Sequence, residues 1–440
     1  MKTLPDRRWI PAFFAAALYL SAFSHLYADG STNAYVQRRN LLKQRIGGRA
    51  VVWAGVPGYG FNKNFYYLTG IREFEAILLL VPGPGPDALF VPDVRDAGRI
   101  KEMAETSGLS SVLSLAAFDG VFSHLPAWNW SLYYPVPTDA YDPALDFLRR
   151  ISVRYPFLTV RNLTAFLNEM RAVKSDAEIA VMRKAVDITA AGLLAAMRTP
   201  KPGLYEYDLQ AIIENTFRCL GSERTSFPSI IGSGPNSVII HYQDNVRRME
   251  AGELVVMDVG AEYAEYAADL TRTVPVSGRF TARQRQIYEI VLDAQARAIA
   301  ACRPGATLGA IDKAARDAIS EKGYGFFFNH GTCHALGLEV HDVLFSNLEL
   351  VPGMVITVEP GIYIAAESLG VRIEDDVLIT ATGCDVLSSA LPKDPAAIER
   401  TAASRMPLGR YSRTFSSSGR QAGSTMHRKR SGPLPVFSIH

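Results

Sequence analysis

Histidine is scarce in this chain, at 8 of 440 residues, and cysteine scarcer, at 4. Cys219, Cys302, Cys333 and Cys384 are spaced too widely and irregularly for a disulfide framework or a thiolate metal motif. They read as buried thiols. The apolar run WIPAFFAAALYLSAF is about fifteen residues, short of the ~20 that cross a bilayer, so no stable membrane span is expected. There is no repeat of solenoid period. The formal net charge is only +2, which gives no electrostatic case for nucleic-acid binding.

What is present is an ordinary globular composition, 48% hydrophobic and 20% charged, sufficient for a large core in two or three domains. The near-neutral total hides an asymmetry. Seven Arg or Lys (Arg405, Arg410, Arg413, Arg420, Arg428, Lys429, Arg430) and no acid lie beyond residue 400, so residues 1–400 carry 39 basic against 44 acidic groups, a net of −5. The first 28 residues read as a signal peptide: a basic start, the apolar run, then small residues near Ser24 and Ala28. Arg7-Arg8 also fits twin-arginine export. The protein is therefore expected to be periplasmic or secreted.

Residues 31–160 alternate helix-like AYVQRRNLLKQRIG with the strand-like AVVWAGV, EAILLLVP and DALFVP, an α/β domain. At 172–197 a long amphipathic helix opens, with Ser175 as its cap and Glu178 three residues on. Residues 172–400 form a second, α+β domain of helices and hairpin-like strands. Residues 401–440, rich in Ser, Gly and Arg without periodicity, are expected to be a disordered basic tail.

The chemistry lies in two hairpins. In ELVVMDVGAEYAEYAADLTRTVPVSG (253–278) a turn near Tyr263-Ala264 would set Asp258 opposite Asp269, with Cβ atoms ~5 Å apart. Two carboxylates that close repel unless protonated, hydrogen-bonded or bridged by cations. In MVITVEPGIYIAAESLGVRIEDDVLIT (354–380) a turn near Ala366-Glu367 pairs Glu359 with Glu374. Single acids beside turns are usually just solvated, but two acidic pairs in apolar strands are not. A turn misplaced by a residue would alter these pairings.

HGTCHALGLEVHD (330–342) concentrates three of the eight histidines. His330 and His334 share a face in either a strand or a helix. Four carboxylates and an imidazole suit a two-cation site, and an oxygen-rich set favours Mn²⁺.

Together MDVGAEYAEYAADLTRT, HGTCHALGLEVHD, EPGIY and VRIEDD resemble the metal-binding motifs of the pita-bread metallopeptidases, most closely the aminopeptidase P (Xaa-Pro aminopeptidase) family. NKNFYYLTGIREFEAILLL resembles that family's N-terminal domain. The resemblance spans about residues 31–400 and implies a creatinase-like α/β domain followed by a pita-bread catalytic domain. It puts Asp258, Asp269, His334, Glu359 and Glu374 on the ligands of two divalent ions, with Asp269 and Glu374 bridging. Glu359 is also the implied general base, His341 and His241 contact substrate, His330 shapes the pocket near the scissile bond, and Arg372 beside Glu374 orients it. Three features depart from the pattern: Glu265 where glycine is frequent, Cys333 before His334, and the basic tail.

The implied activity releases the first residue from peptides with proline second. The expected partners are such peptides and further copies of the chain in a homo-oligomer. A prolidase acting on Xaa-Pro dipeptides shares every ligand. A metal-free C–N hydrolase of this fold or a non-catalytic binding module would be expected to lose ligands, and none is lost here.

Overall fold

Strands of consecutive Val, Ile, Leu and Phe need cover on both faces, and the first half of the chain supplies it. In this computed structural model residues 33–404 are described, apart from 59, 84–85, 125–130, 137–141, 200 and 344–348. The expected signal peptide and nearly all of the expected basic tail lie outside the described residues. A six-stranded mixed sheet runs in the order Ser111–Ser114, Ala88–Val91, Ile77–Leu80, Arg49–Trp53, Ser131–Tyr134, Thr159–Asn162. Its three inner apolar strands are buried at every residue. The segments read as strands from sequence are strands, and AYVQRRNLLKQR is a helix, Ala34–Arg45.

A short helix, Thr164–Ala172, leads into the long helix Asp176–Met197. The Ser175 side chain caps that helix at the Glu178 amide, and Glu178 returns a 2.9 Å acceptor to the Ser175 amide. Beyond it lie the helices Glu206–Cys219, Ala282–Ala301 and Leu308–Glu321. They pack around the antiparallel sheet Ile230–Ser233, Leu254–Val259, Leu270–Pro275 and the sheet containing Val355–Val358 and Asp375–Ile379. An α/β unit followed by an α+β unit is the expected fold class. The two units share a core: Leu42, Val52, Leu68 and Leu78 of the first unit pack in one cluster with Met182, Tyr266, Leu336 and Leu378 of the second.

The hairpin registers decide which acids meet. Val355–Val358 pairs with Asp375–Ile379 such that Val358 faces Asp375, and Gly361–Ile364 pairs with Leu369–Arg372 such that Gly361 faces Arg372. Both ladders share one register, which sets Glu359 opposite Glu374 as read from sequence. The first hairpin differs. Its turn is Ala264-Glu265, one residue later than expected, with φ of +47° and +69°. Left-handed angles at both central residues give the tight turn that suits strand twist. Asp258 then faces Thr271, not Asp269. Moving the turn by one residue moves the partner by two, so Asp269 stays on the same face as Thr271. The two aspartates are diagonal neighbours.

The last helix, Pro395–Ala403, buries Ile398 and Ala402 and takes in the first three residues of the expected tail.

Candidate metal centre

Each acid of the cluster sits where a strand begins, ends or is interrupted. Asp258 lies within Leu254–Val259, and Asp269 immediately precedes Leu270–Pro275. Glu359 follows Val355–Val358, and Glu374 precedes Asp375–Ile379. Flanking apolar strands bury these carboxylates: Asp258, Asp269 and Glu374 are 8%, 5% and 1% exposed. His334 lies in the irregular segment after Leu308–Glu321, pinned to the Glu359 strand. Its amide donates to Thr357 Oγ1 at 3.2 Å, and its carbonyl accepts from the Thr357 amide at 2.9 Å.

Ligand atoms of Asp269, His334 and Glu374 lie within 4.8 Å of one another. His334 Nε2 is 3.6 Å from Asp269 Oδ2 and 3.5 Å from Glu359 Oε1. Its other ring nitrogen, Nδ1, lies 3.0 Å from the Ala335 carbonyl. A carbonyl can only accept, so Nδ1 carries a proton, and the neutral ring has its lone pair on Nε2. That lone pair faces two carboxylates, which is repulsive unless a cation or a proton lies between them.

The acids register the same crowding. Burial, then the charges of Asp258, Glu359 and Asp376, push Asp269 well above the usual carboxylate range. Burial and the charges of Asp269, Glu359 and Asp258 do the same to Glu374. Glu359 is pushed up to about 7, chiefly by burial, against the opposing pull of His334 and Arg372. Asp258 Oδ1 and Asp269 Oδ1 are buried without a hydrogen-bond partner. Buried acceptors left unpaired are costly. Four acids, two of them with an orphaned oxygen, and an imidazole nitrogen are a donor set that fits divalent cations.

Arg372 lies elsewhere than expected. Its guanidinium pairs with Asp258 Oδ2 at 2.5 Å and donates to the Tyr363 hydroxyl at 2.9 Å. It reaches Glu374 only through Thr271, whose hydroxyl accepts from Arg372 Nε at 3.3 Å and donates to Glu374 Oε2 at 2.7 Å. Arg372 and Glu374 share a face by period two, but the long side chain crosses to the neighbouring hairpin. The Tyr363 hydroxyl in turn lies 2.9 Å from His330 Nε2. His330 Nδ1 is 2.8 Å from the Gly331 carbonyl, so Nε2 is the acceptor. Burial holds this imidazole neutral, down to about 4. His341 stacks edge-on against His334, centroids 4.4 Å apart. Burial and the neighbouring His334 and His241 lower its pKa. His241 is exposed and close enough to depress both His330 and His341.

Three groups escaped the sequence reading. Tyr363 sits within EPGIY, and Thr271 within DLTRT. Asp376, fully buried, accepts from the Asp269 amide at 3.2 Å. Three consecutive acids, Glu374-Asp375-Asp376, at the mouth of an apolar strand were the available signal.

Metallopeptidase family M24 matches residues 180–381. An Escherichia coli Xaa-Pro aminopeptidase is 35% identical over 396 residues, 78% of this chain and 88% of that protein. A Pyrococcus furiosus Xaa-Pro dipeptidase is 35% identical over 329 residues, 74% of this chain and 90% of that protein. The solved structure of E. coli aminopeptidase P with the inhibitor Pro-Leu superposes with a TM-score of 0.75 at 32% identity, covering 84% of this chain and 98% of that one.

Proposed function

The chain belongs to metallopeptidase family M24, within it to the aminopeptidase P group, and we propose that its centre releases the first residue of peptides whose second residue is proline. It is a metalloaminopeptidase. The observation that carries the site assignment is His334 Nε2 aimed at Asp269 and Glu359 within a cluster of acids, its Nδ1 tied to the Ala335 carbonyl. Asp258, Asp269, His334, Glu359 and Glu374 would hold two divalent ions. The oxygen-rich donor set favours manganese. When bound, such ions supply Lewis-acid chemistry that acidifies water and stabilises charge developing on the scissile carbonyl.

The chain's own groups supply the rest. Glu359, at the edge of the cluster, takes the proton from the attacking water and passes it to the departing imide nitrogen. His341 and His241 donate hydrogen bonds to the carbonyl oxygen as it gains charge and to the substrate backbone. Neutral His330, fixed by the Tyr363 hydroxyl and the Gly331 carbonyl, lines the pocket for the proline ring. Arg372 anchors Asp258 and, by way of Tyr363, His330. Pro-Leu, the inhibitor in the E. coli structure, has the form of the product left after an Xaa-Pro-Leu peptide loses its first residue.

The test is a short peptide panel with the manganese-loaded protein. Xaa-Pro-Yaa should be cleaved. Xaa-Ala-Yaa should fail, because alanine loses ring packing and brings an unpaired amide donor, together about 2–4 kcal/mol at the transition state. Activity confined to Xaa-Pro dipeptides would make the protein a prolidase. Equal cleavage of Xaa-Ala-Yaa would defeat both readings. Assembly as a homo-oligomer and export by the N-terminal segment complete the proposal. Light scattering and N-terminal sequencing of protein from its native host check them, the latter expected to start near residues 25–29. Among the described residues no helix is long and apolar enough to cross a membrane.

A further inference from the structure

Glu206, the first residue of the helix Glu206–Cys219, is completely buried. It lies far in sequence from every acid of the metal cluster, and the chemistry above leaves it without a task. A buried carboxylate is tolerated only when its lone pairs are taken up. Here all donors come from one stretch of chain. Oε1 accepts from the Ser233 amide and hydroxyl, both at 2.7 Å, and from Asn236 Nδ2 at 3.1 Å. Oε2 accepts from the Tyr242 hydroxyl and the Arg247 amide, both at 2.9 Å. The Arg247 guanidinium is committed to Glu253 at 2.6 and 2.7 Å, so hydrogen bonds, more than a dedicated cation, satisfy the carboxylate.

The donors mark the beginning, middle and end of the segment Ser233–Arg247, and that segment carries His241. The Glu206 amide also donates to the Arg247 carbonyl at 2.9 Å, closing the loop on both sides. Its other flank rests on the second hairpin. The Gly370 amide donates to Ser237 Oγ at 2.8 Å, and a Cβ at Gly370 would lie 1.9 Å from the Ser237 carbonyl. Arg372 Nη2 reaches the Ile240 carbonyl at 3.4 Å. His241 itself is exposed, between the Ile240 carbonyl held by Arg372 and the buried Tyr242 held by Glu206.

We propose that Glu206 is the positioning residue of His241: its carboxylate gathers the Ser233–Arg247 loop and, through the Tyr242 hydroxyl, fixes the backbone from which His241 meets the substrate. This rests on the reading of His241 as a substrate contact. Glu206→Gln keeps the shape but sets an amide N–H₂ against donors, and Tyr242→Phe deletes a single hydroxyl.

The test is a double-mutant cycle with His241→Ala, reading kcat, KM and metal content on an Xaa-Pro-Yaa peptide. Displacing a contacting group by about an ångström costs up to ~100-fold, so Glu206→Gln should lower kcat/KM at least about tenfold, and Tyr242→Phe by a smaller factor, with metal content unchanged. In the His241→Ala background the same changes should cost less than about twofold, because the group they position is gone. Equal losses in both backgrounds, or loss of metal alongside activity, would overturn the proposal while leaving the His241 reading intact. Full turnover by His241→Ala itself would overturn both. Should Glu206→Gln not fold, Tyr242→Phe carries the same cycle.

Discussion

Replacing Glu359 by glutamine should stabilise the metal-free protein at pH 8 and leave it unchanged near pH 4.5. Burial is the main force raising this carboxyl to about 7 from its ordinary 4.5. The folded state therefore binds the proton more tightly than the unfolded chain. The resulting stability is complete below about pH 4.5 and is lost as pH rises through about 7. At ~1.4 kcal/mol per unit the loss is about 3 kcal/mol. Glutamine is neutral throughout and escapes it. His330 titrates with the opposite sign, its folded value being down at about 4. Wild-type stability alone would therefore mix two trends, and His330 Nδ1 lies 3.8 Å from Glu359, so the comparison is made in a His330→Gln background. The assay is urea denaturation in chelator at several pH values from 4.5 to 8. The variant should match wild type at the acid end and exceed it by up to about 3 kcal/mol at pH 8. Saturating divalent metal should reverse the order, since a ligand at a hundred times its Kd stabilises by ~2.7 kcal/mol and the variant has lost a donor. A difference that does not move with pH, or a variant less stable than wild type in chelator at pH 8, would refute the reasoning.

Asp269→Asn or Glu374→Gln should abolish turnover and remove most bound metal, read by elemental analysis beside activity; full activity in either would end the two-ion assignment. Arg171→Ala should destabilise by about 3–5 kcal/mol in urea melts, because it leaves the buried Asp342 carboxylate, now 2.6 Å from the guanidinium, with Lys174 at 3.5 Å as its remaining cation. A loss under about 1 kcal/mol would show that this pair is idle. Ending the chain after Ser404 should leave the melting temperature and turnover unchanged. Ending it after Arg400 should lower the melting temperature by several degrees, since the buried Ala402 goes with the last turn of its helix. Equal melting temperatures for the two truncations would show that this turn contributes nothing.

How far the site was legible follows from where its contacts are encoded. Glu359 and Glu374 could be paired from sequence because apolar ladders run on both sides of them in one register, and period-two alternation survives small errors in the turn. The first hairpin misled because its left-handed turn residues are Ala264 and Glu265, where a glycine would have marked the position. Glu265 holds that strained backbone with a carboxylate placed 2.7 Å from Lys63 of the first unit and 3.0 Å from Arg224. Neither partner can be inferred from the neighbouring sequence. Arg372 failed for a related reason. Alternation fixes the face a side chain occupies, whereas its partner, Asp258, belongs to another hairpin 114 residues away. Glu206 was opaque for the same cause at its extreme, and Asp376 showed only as the last of three consecutive acids. The role of each comes from chain distant in sequence, 27 to 41 residues on for Glu206 and 107 residues back for Asp376. Local pattern thus locates the acids that would do chemistry, because they break apolar runs. The partners that hold them in place come from distant chain, and only the tertiary structure reveals those contacts.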